Sequence, residues 1–229
     1  TLTVNPVNDA PVALDDTASN FEDNDISGDV SLNDSDLDAT NGDDTPPSHY
    51  SLHYTVNTNP SNGSVVMDDN GSFTYTPVQH WNGTDSFTYM VSDDASGSDI
   101  ATVTLTVNPV NDAVTLTNSI NDYSVNEDAD PTTVVDLDDV FDDIDILNGD
   151  PSALQSLSYS VSENSNSDLA TPTIDAATGV LTISYTSEDN GSADITIRAS
   201  DGNGSTLEES FTLTVNPVND APVALDDTA

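Results

Sequence analysis

The stretch TLTVNPVNDAPVALDDTA spans residues 1–18 and recurs without change at residues 212–229. Its first ten residues, TLTVNPVNDA, also occur at residues 104–113. The three copies begin 103 and 108 residues apart, and a period near 100 residues is the size of one small β-domain. The spacing therefore predicts that the repeated stretch marks a junction between consecutive domains.

The residues of the repeated stretch explain why a junction forms there. In TLTV, Leu2 and Val4 alternate with threonine, which is typical of the end of a β-strand. Pro6 and Pro11 fix φ and lack a backbone N–H, so they end the strand and stiffen the connection. A linker this short and bounded by proline is expected to act as a semi-rigid spacer.

The junctions divide the chain into two complete domains and two partial ones. We predict the end of an upstream repeat and a linker over 1–9, repeat 1 over 10–112, repeat 2 over 113–220 and the start of a downstream repeat over 221–229. The identical ends predict that the parent protein repeats a larger unit made of two different domains.

Short runs of alternating apolar residues fill both complete domains and predict β-strands. The runs lie at 50–56, 63–67, 71–77, 85–91 and 100–107 in the first domain and at 157–162, 180–185, 193–199 and 209–215 in the second. Turn signals such as DNG and DGNG separate them. The fold class is therefore predicted to be all-β, with two tandem Greek-key β-sandwiches, and with at most a short helical turn in 136–150.

The charge of the chain excludes several functions. Asp and Glu number 42 against a single base, Arg198, which gives a net charge of -41. Such a chain repels phosphates, so nucleic acid binding is excluded, and no apolar run approaches the ~18 residues that membrane insertion needs. With no cysteine, thiolate metal sites are also excluded. Because one base cannot offset 42 acids, we expect bound cations, and an oxygen-rich surface suits Ca²⁺.

The acids cluster in loops without forming a known calcium loop. An EF-hand loop needs glycine at position six and glutamate at position twelve. Counted from Asp34 these positions hold Ala39 and Thr45, and position six counted from Asp143 holds Asn148. The glycine-rich nonapeptide calcium repeat is absent as well. Any calcium site must therefore combine ligands from several loops, and the alternative is that the acids serve only solubility or salt adaptation.

Several of these motifs carry a family resemblance. IDAATGVLTIS (174–184), RASDGNGS (198–205) and the junction PVNDAP make the second domain resemble a cadherin repeat. GDVSLNDSDLD, NGSVVMDDNGSFTYTP and NGTDSFTYMVSD make the first resemble the bacterial cadherin-like and immunoglobulin-like repeats of giant surface proteins. Repeats of this kind, including VCBS-type ones, form the extender arrays of large secreted RTX adhesins.

The resemblance implies calcium at the junctions, with ligands from both neighbouring repeats and the linker. The implied ligands are Asn8, Asp9, Asp34, Asp36 and Asp93 upstream, Glu22, Asn111, Asp112, Asp143, Asp145 and Asp201 in the middle, and Glu127, Asn219 and Asp220 downstream, joined there by Glu188 or Asp189. Proline replaces the first aspartate of the cadherin junction, so fewer ions per junction are expected. The middle copy reads NDAV and lacks the proline of NDAP, which predicts a different geometry there.

The resemblance also implies a function. The chain is expected to be a calcium-stiffened extender of a secreted or cell-surface adhesin that supports adhesion and biofilm formation. Its expected partners are Ca²⁺ and the neighbouring repeats of the same chain, and it is expected to be a monomer. We expect no enzyme, since the paired acids lie in loops and linkers without a cleft. The alternatives are a polysaccharide-binding module and a homophilic recognition module.

Three other side chains have two interpretations each. Trp81 could stack on a sugar ring, but packing against the sandwich is the stronger expectation. His49 and His53 lie four residues apart on a predicted strand and could bind zinc, but two histidines alone do not make a site. A structural role is the stronger expectation for both.

Overall fold

A computed structural model describes residues 8–37, 51–147 and 156–220, with the side chains of 146 and 147 excepted. The chain divides into two compact units, Thr1–Val110 and Asn111–Ala229. This division falls at 110/111, inside the NPVNDA stretch, and the finer domain bounds given above stay a prediction. His49 lies outside the described residues.

Unit 1 is a sandwich of two sheets. Its strands are β1 Asp16–Phe21, β2 Ile26–Asp29, β3 His53–Thr58, β4 Gly63–Met67, β5 Ser72–Pro77, β6 Gly83–Ser92 and β7 Ser98–Asn108. One sheet has the order β1-β7-β6-β3 and the other β2-β5-β4. Strand β1 runs parallel to β7, and the other pairs are antiparallel. A 3₁₀-helix follows β2 at Val30–Leu32.

Unit 2 repeats this plan. Its strands are β8 Thr115–Leu116, β9 Tyr123–Asn126, β10 Thr132–Asp136, β11 Phe141–Asp142, β12 Ser158–Asn164, β13 Ala170–Ile174, β14 Val180–Tyr185, β15 Gly191–Ser200 and β16 Thr206–Asn216. The main sheets are β12-β15-β16-β9 and β10-β14-β13, and β8 pairs with β11. A 3₁₀-helix at Leu137–Asp139 and a short α-helix, α1, at Ile144–Leu147 lie within the stretch predicted to hold a helical turn.

Each unit has its own core, built from the inward faces of both sheets. In unit 1, Phe87, Tyr89 and Val91 of β6 are buried, as the alternating pattern predicted. In unit 2, Leu181 and Ile183 of β14 are equally buried. The all-β class and the Greek-key sandwich are thus confirmed, and the strand order is that of an immunoglobulin-like sandwich.

The strands match the predicted runs, with small changes at the ends. Strand β4 at Gly63–Met67 and β14 at Val180–Tyr185 have the predicted bounds, while β6 and β15 are longer at both ends. The first predicted run, 50–56, is displaced, since β3 begins at His53. The prediction missed β1, β2, β8 to β11 and β13.

The strand pairings establish which residues of the two units are equivalent. Glu22 donates its N–H to the carbonyl of Asn108, and Glu127 does the same to Asn216, so the two glutamates correspond. Gly83 pairs with Val107 as Gly191 pairs with Val215, so the two glycines correspond. His80 and Glu188 each lie three residues before these glycines and are therefore counterparts.

Candidate metal centre

Acidic and amide side chains gather where the linker enters unit 2, and we call this group its leading cluster. The cluster consists of Asn111, Asp112, Asp143, Asp145 and Asp201. Asn111 Nδ2 donates to Asp201 Oδ2 at 2.9 Å, and the Asp112 N–H donates to Asp145 Oδ2 at 2.9 Å. The Asp145 N–H donates to Asp143 Oδ1 at 3.0 Å. All five residues predicted to provide ligands from unit 2 to the middle junction therefore meet at one end of that unit.

The turn between β15 and β16 holds Asp201 in an ionised state. Gly202 and Gly204 adopt positive φ values of 79° and 119°, which glycine tolerates and other residues avoid. The turn thereby directs the N–H groups of Asn203, Gly204 and Ser205 to Asp201 Oδ1 at 2.8 to 3.0 Å. Burial opposes the charge of Asp201, but the Asn111 amide and these N–H groups hold its pKa below the ordinary value.

Asp143 has the least favourable surroundings in this cluster. Its side chain is 0% exposed, and its Oδ2 is buried without a hydrogen-bond partner among the described residues. Burial, and then the charges of Asp145, Asp201 and Asp112, raise the pKa of its carboxyl group. A buried carboxylate among other carboxylates is costly unless a cation neutralises it.

The donor set fits calcium. The cluster offers carboxylate and amide oxygens and neither imidazole nor thiolate, which is the ligand set of a hard divalent cation. Asp143, Asp145 and Asp112 with Asp201 would hold such an ion, and the ion would supply the positive charge that these carboxylates lack.

Unit 1 has a similar leading cluster, in which Asn8, Asp9, Asp36 and Asp93 occupy the positions of Asn111, Asp112, Asp143 and Asp201. Asn8 Nδ2 donates to Asp93 Oδ2 at 2.9 Å, as Asn111 does to Asp201, and Asn8 Oδ1 is buried without a hydrogen-bond partner among the described residues. The bridge of Val12 with Ser35 matches the pairing of Thr115 with Asp142, so Asp36 is the counterpart of Asp143. Asp36 is likewise buried, with 2% exposure.

The predicted ligand Asp34 makes other contacts. Its carboxylate lies 2.9 Å from the Tyr89 hydroxyl and accepts the Leu14 N–H at 2.8 Å. The same hydroxyl contacts Asp16 Oδ2 at 3.2 Å. Burial raises the pKa of Asp34. In unit 2 the residues equivalent to Asp34 and Tyr89 are Phe141 and Ile197, which are both buried in its apolar core.

The other end of unit 2 carries a second group, its trailing cluster. Carboxylate oxygens of Asp128, Glu188 and Asp220 lie within 4.8 Å of one another. The neighbouring charges of Asp220 and Asp128 raise the pKa of Glu188. Glu127 is 7% exposed and accepts the Val218 N–H at 2.6 Å and the Asn190 amide at 3.2 Å.

Three of the residues predicted for the downstream junction lie at this end of unit 2. Glu127 and Asp220 lie there, and of the pair left open, Glu188 joins the group. Asn219 is exposed and donates to the carbonyl of Asp220 at 3.0 Å. Asp189 is not a member of the group formed by Asp128, Glu188 and Asp220.

The trailing cluster of unit 1 has a histidine in the place of a carboxylate. It consists of Glu22, Asp23 and His80, and Glu22 is 2% exposed and accepts the Val110 N–H at 2.5 Å. The His80 N–H donates to Asp23 Oδ1 at 2.8 Å, and His80 Nδ1 lies 3.3 Å from Asp23 Oδ2. In unit 2 the Glu188 N–H contacts Asp128 in the same way at 3.1 Å. The two units therefore share a backbone arrangement but differ in ligand chemistry.

Sequence reasoning did not assign Asp23, Asp128 or His80 to a site. A signal was present, because HWNG at 80–83 and EDNG at 188–191 stand at the same distance before the next junction. Without the strand register, however, the low similarity of the surrounding residues hides this correspondence.

Comparisons with known proteins agree with the fold. Residues 8–109 match the family model described as "Bacterial cadherin-like domain". Human CDH23 EC21-23 superposes with a TM-score of 0.62 at 19% identity, covering 90% of this chain and 69% of that one. Protocadherin Gamma C5 EC1-3 superposes with a TM-score of 0.56 at 16% identity, covering 90% and 68%. The fold is therefore cadherin-like.

Two curated relatives from Dictyostelium discoideum match at higher identity over shorter stretches. Integrin beta-like protein C is 34% identical over 142 residues, which are 56% of this chain and 7% of that protein. Integrin beta-like protein E is 41% identical over 86 residues, covering 32% and 4%. The chain thus spans a small fraction of both relatives. Among the described residues, no helix is both long and apolar enough to cross a membrane.

Proposed function

We propose that this chain is a calcium-stiffened extender segment of a large secreted or cell-surface adhesin of the RTX type, supporting adhesion and biofilm formation. Calcium binds at the ends of each repeat, neutralises the acids there and stiffens the tandem array. The chain has no catalytic role and acts as a spacer. Extracellular calcium modules bind at about 10⁻⁴–10⁻³ M, so the array stiffens outside the cell.

The observation that carries the proposal is the environment of Asp143. This carboxylate is 0% exposed, lies among the acids of the leading cluster and has an Oδ2 atom without a hydrogen-bond partner among the described residues. A folded chain retains such a group where a bound cation offsets its cost. The bacterial cadherin-like match over residues 8–109 and the integrin-like names of the Dictyostelium relatives support an adhesion context outside the cell.

Calorimetry and small-angle scattering of the wild type and Asp143→Asn test the proposal. In calcium, the wild type should melt at a higher temperature and give a longer, stiffer particle than in EGTA. In Asp143→Asn the calcium-dependent rise of the unit 2 transition should shrink. In EGTA the same variant should melt about 4 °C above the wild type, or about 1 kcal/mol, because an unpaired buried charge has been removed.

Asp168→Asn provides a matched control, since Asp168 is exposed and outside both clusters. It should behave as the wild type in both conditions. If the wild type has the same melting temperature and scattering profile in calcium and in EGTA, the acids are only solvated surface charges. That result would refute the proposal. A variant Asp143→Asn that keeps the full calcium response would place the ion elsewhere.

The polysaccharide alternative receives no support from Trp81. The indole is half-buried and packs against the core of unit 1, where it also approaches the turn at Gly83. This contact agrees with the structural interpretation of Trp81.

A further inference from the structure

Unit 2 has a pocket of about 520 Å³ on its side, between the start of β12 and the turn that follows β13. A volume of this size falls in the range of small-molecule sites. The residues that matter for its chemistry are Asp138, Phe141, Asp142, Ser158, Tyr159 and Ile174. We call it the side pocket.

The side pocket combines aromatic and acidic groups. The rings of Phe141 and Tyr159 lie 5.9 Å apart, and the Tyr159 hydroxyl donates to Asp138 Oδ1 at 2.7 Å. Burial, and then the hydrogen bond to Asp138, raise the pKa of Tyr159, so the hydroxyl stays a donor. The single base of the chain, Arg198, pairs with Glu208 at 2.8 Å and does not line the pocket. The lining therefore attracts positive charge and offers apolar surface beside it.

Unit 1 places a cation of its own at the equivalent position. His53 pairs with Ser92 as Ser158 pairs with Ser200, so His53 is the counterpart of Ser158. Its Nδ1 lies 2.8 Å from Asp69 Oδ2 and its Nε2 lies 3.2 Å from Asp94 Oδ1. A carboxylate at each ring nitrogen favours the protonated imidazolium form, because only that form donates from both nitrogens. In unit 2 the smaller side chain of Ser158 lines the side pocket and does not fill the space that the imidazole ring occupies in unit 1.

We propose that the side pocket of unit 2 binds an organic monocation with an apolar body, of the amine or guanidine class. The ammonium or guanidinium group lies by Asp138 and Asp142, and the apolar body contacts Phe141, Tyr159 and Ile174. This ligand takes the place that His53 occupies in unit 1. The proposal does not require calcium at the ends of the repeats, but the two sites are neighbours, since Asp142 Oδ1 accepts the Asp143 N–H at 2.8 Å.

Benzylammonium titrated into isotopically labelled protein and followed by NMR chemical shifts tests this proposal. The titration is done in excess CaCl₂, so that the end clusters do not compete for the probe. Benzylammonium should bind about tenfold more tightly than benzyl alcohol, because the charge adds to the same apolar contact. Methylammonium, which has the charge without the ring, should bind more weakly than benzylammonium by a similar factor.

Two variants localise the site. Ser158→His puts into unit 2 the residue that unit 1 has at this place, and it should weaken benzylammonium binding about tenfold or more by filling the pocket. Asp138→Asn keeps an acceptor for the Tyr159 hydroxyl but removes the charge, and it should weaken binding several-fold. Asp168→Asn removes the same charge from an exposed position and should leave binding unchanged.

A capped Gly-Arg-Gly peptide is the second arm, and it distinguishes a free amine from a side chain of a partner protein. Whichever probe binds more tightly identifies the source of the cation. Equal binding of benzylammonium and benzyl alcohol would overturn the proposal. Unchanged binding by Ser158→His, or equal loss in Asp168→Asn, would also overturn it, because the cation would then be held by diffuse charge.

Discussion

At the scale of single residues, buried acids show how the two units use the same charge differently. Asp143 of unit 2 is buried with an oxygen that has no hydrogen-bond partner among the described residues, and Asp85 of unit 1 is buried with its oxygens satisfied. The first arrangement suits a ligand. The second suits a fixed structural role, and in unit 2 the corresponding residue is Ala193.

Asp85 should be a strong stability determinant of unit 1. It accepts the N–H groups of Ser61 and Asn62 at 3.0 and 2.7 Å and the Tyr75 hydroxyl at 3.1 Å. Asp85→Ala leaves these donors without their acceptor, so the free energy of unfolding of unit 1 should fall by about 2 kcal/mol. Trp81 is the single tryptophan and lies in unit 1, so its fluorescence reports this transition.

The pH dependence of the Asp85 effect follows from its pKa. Burial opposes the charge, but the N–H groups of Ser61 and Asn62 lower the pKa below 3.8. A lowered folded-state pKa means that the stabilisation is present at neutral pH and is lost as the pH falls through that value. The gap between wild type and Asp85→Ala should therefore close in acid. Asp68→Ala, at an exposed position, should show no gap at either pH, and a comparable loss there would contradict this assignment.

At the scale of elements, the loop before β6 and the loop before β15 share a residue with positive φ that donates its N–H to an aspartate, but the two side chains differ. His80 has φ 55° and Glu188 has φ 64°, so either side chain fits either loop. His80→Glu gives unit 1 the oxygen ligand that unit 2 has. The calcium affinity of unit 1, measured by calorimetric titration, should rise about tenfold, because a carboxylate adds negative charge beside the ion.

The reciprocal variant is the control for this comparison. Glu188→His should lower the affinity of unit 2 by a similar factor and leave unit 1 unchanged. If both variants bind calcium as the wild type does, the trailing clusters do not contribute ligands.

His53 links strand β3 to the β4–β5 turn, which belongs to the opposite sheet. The hydrogen bonds to Asp69 and then to Asp94 raise the pKa of His53 above 6.5. Its stabilisation is therefore fully present below pH 6.5 and is lost as the pH rises through the raised folded-state pKa. His53→Ala should lower the melting temperature of unit 1 at pH 5.5 and have little effect at pH 9, as followed by Trp81 fluorescence.

Thr55→Ala is the matched control for His53, since Thr55 is an exposed residue of the same strand. Its effect on the melting temperature should not change between the two pH values. A loss of stability in His53→Ala that is equal at both pH values would show that packing, and not charge, accounts for it.

At the scale of the whole molecule, both units have the same sandwich fold. The net charge of the chain is strongly negative. The net charge of -41 destabilises any compact state by self-repulsion, and the single base Arg198 is already paired with Glu208. Some of these acids lie close together at the ends of each unit, in the leading and trailing clusters. Cations bound at these clusters would offset part of this repulsion, as the proposed calcium response requires.

The long strands could be predicted from the sequence and the short ones could not. Strand β14 alternates Leu181, Ile183 and Tyr185, and such a pattern survives in any half-buried strand. Strands β8 and β11 have two residues each, which is too short for a period to be visible. Loop motifs drew attention to Asp143, Asp145 and Asp201, which the structure brings together, and to Asp34, whose contact with Tyr89 the local pattern did not reveal.

The sequence by itself determined the spacing of the repeated stretch, the all-β class, the acidic character and the loops that carry the acids. These properties depend on local pattern and composition, which the order of residues contains directly. The tertiary structure alone decided that Asp143 is buried with an oxygen lacking a hydrogen bond, that His80 corresponds to Glu188 and that Ser158 leaves open the place of His53. These facts depend on strand register and on packing between sheets, which join residues that are distant in the chain.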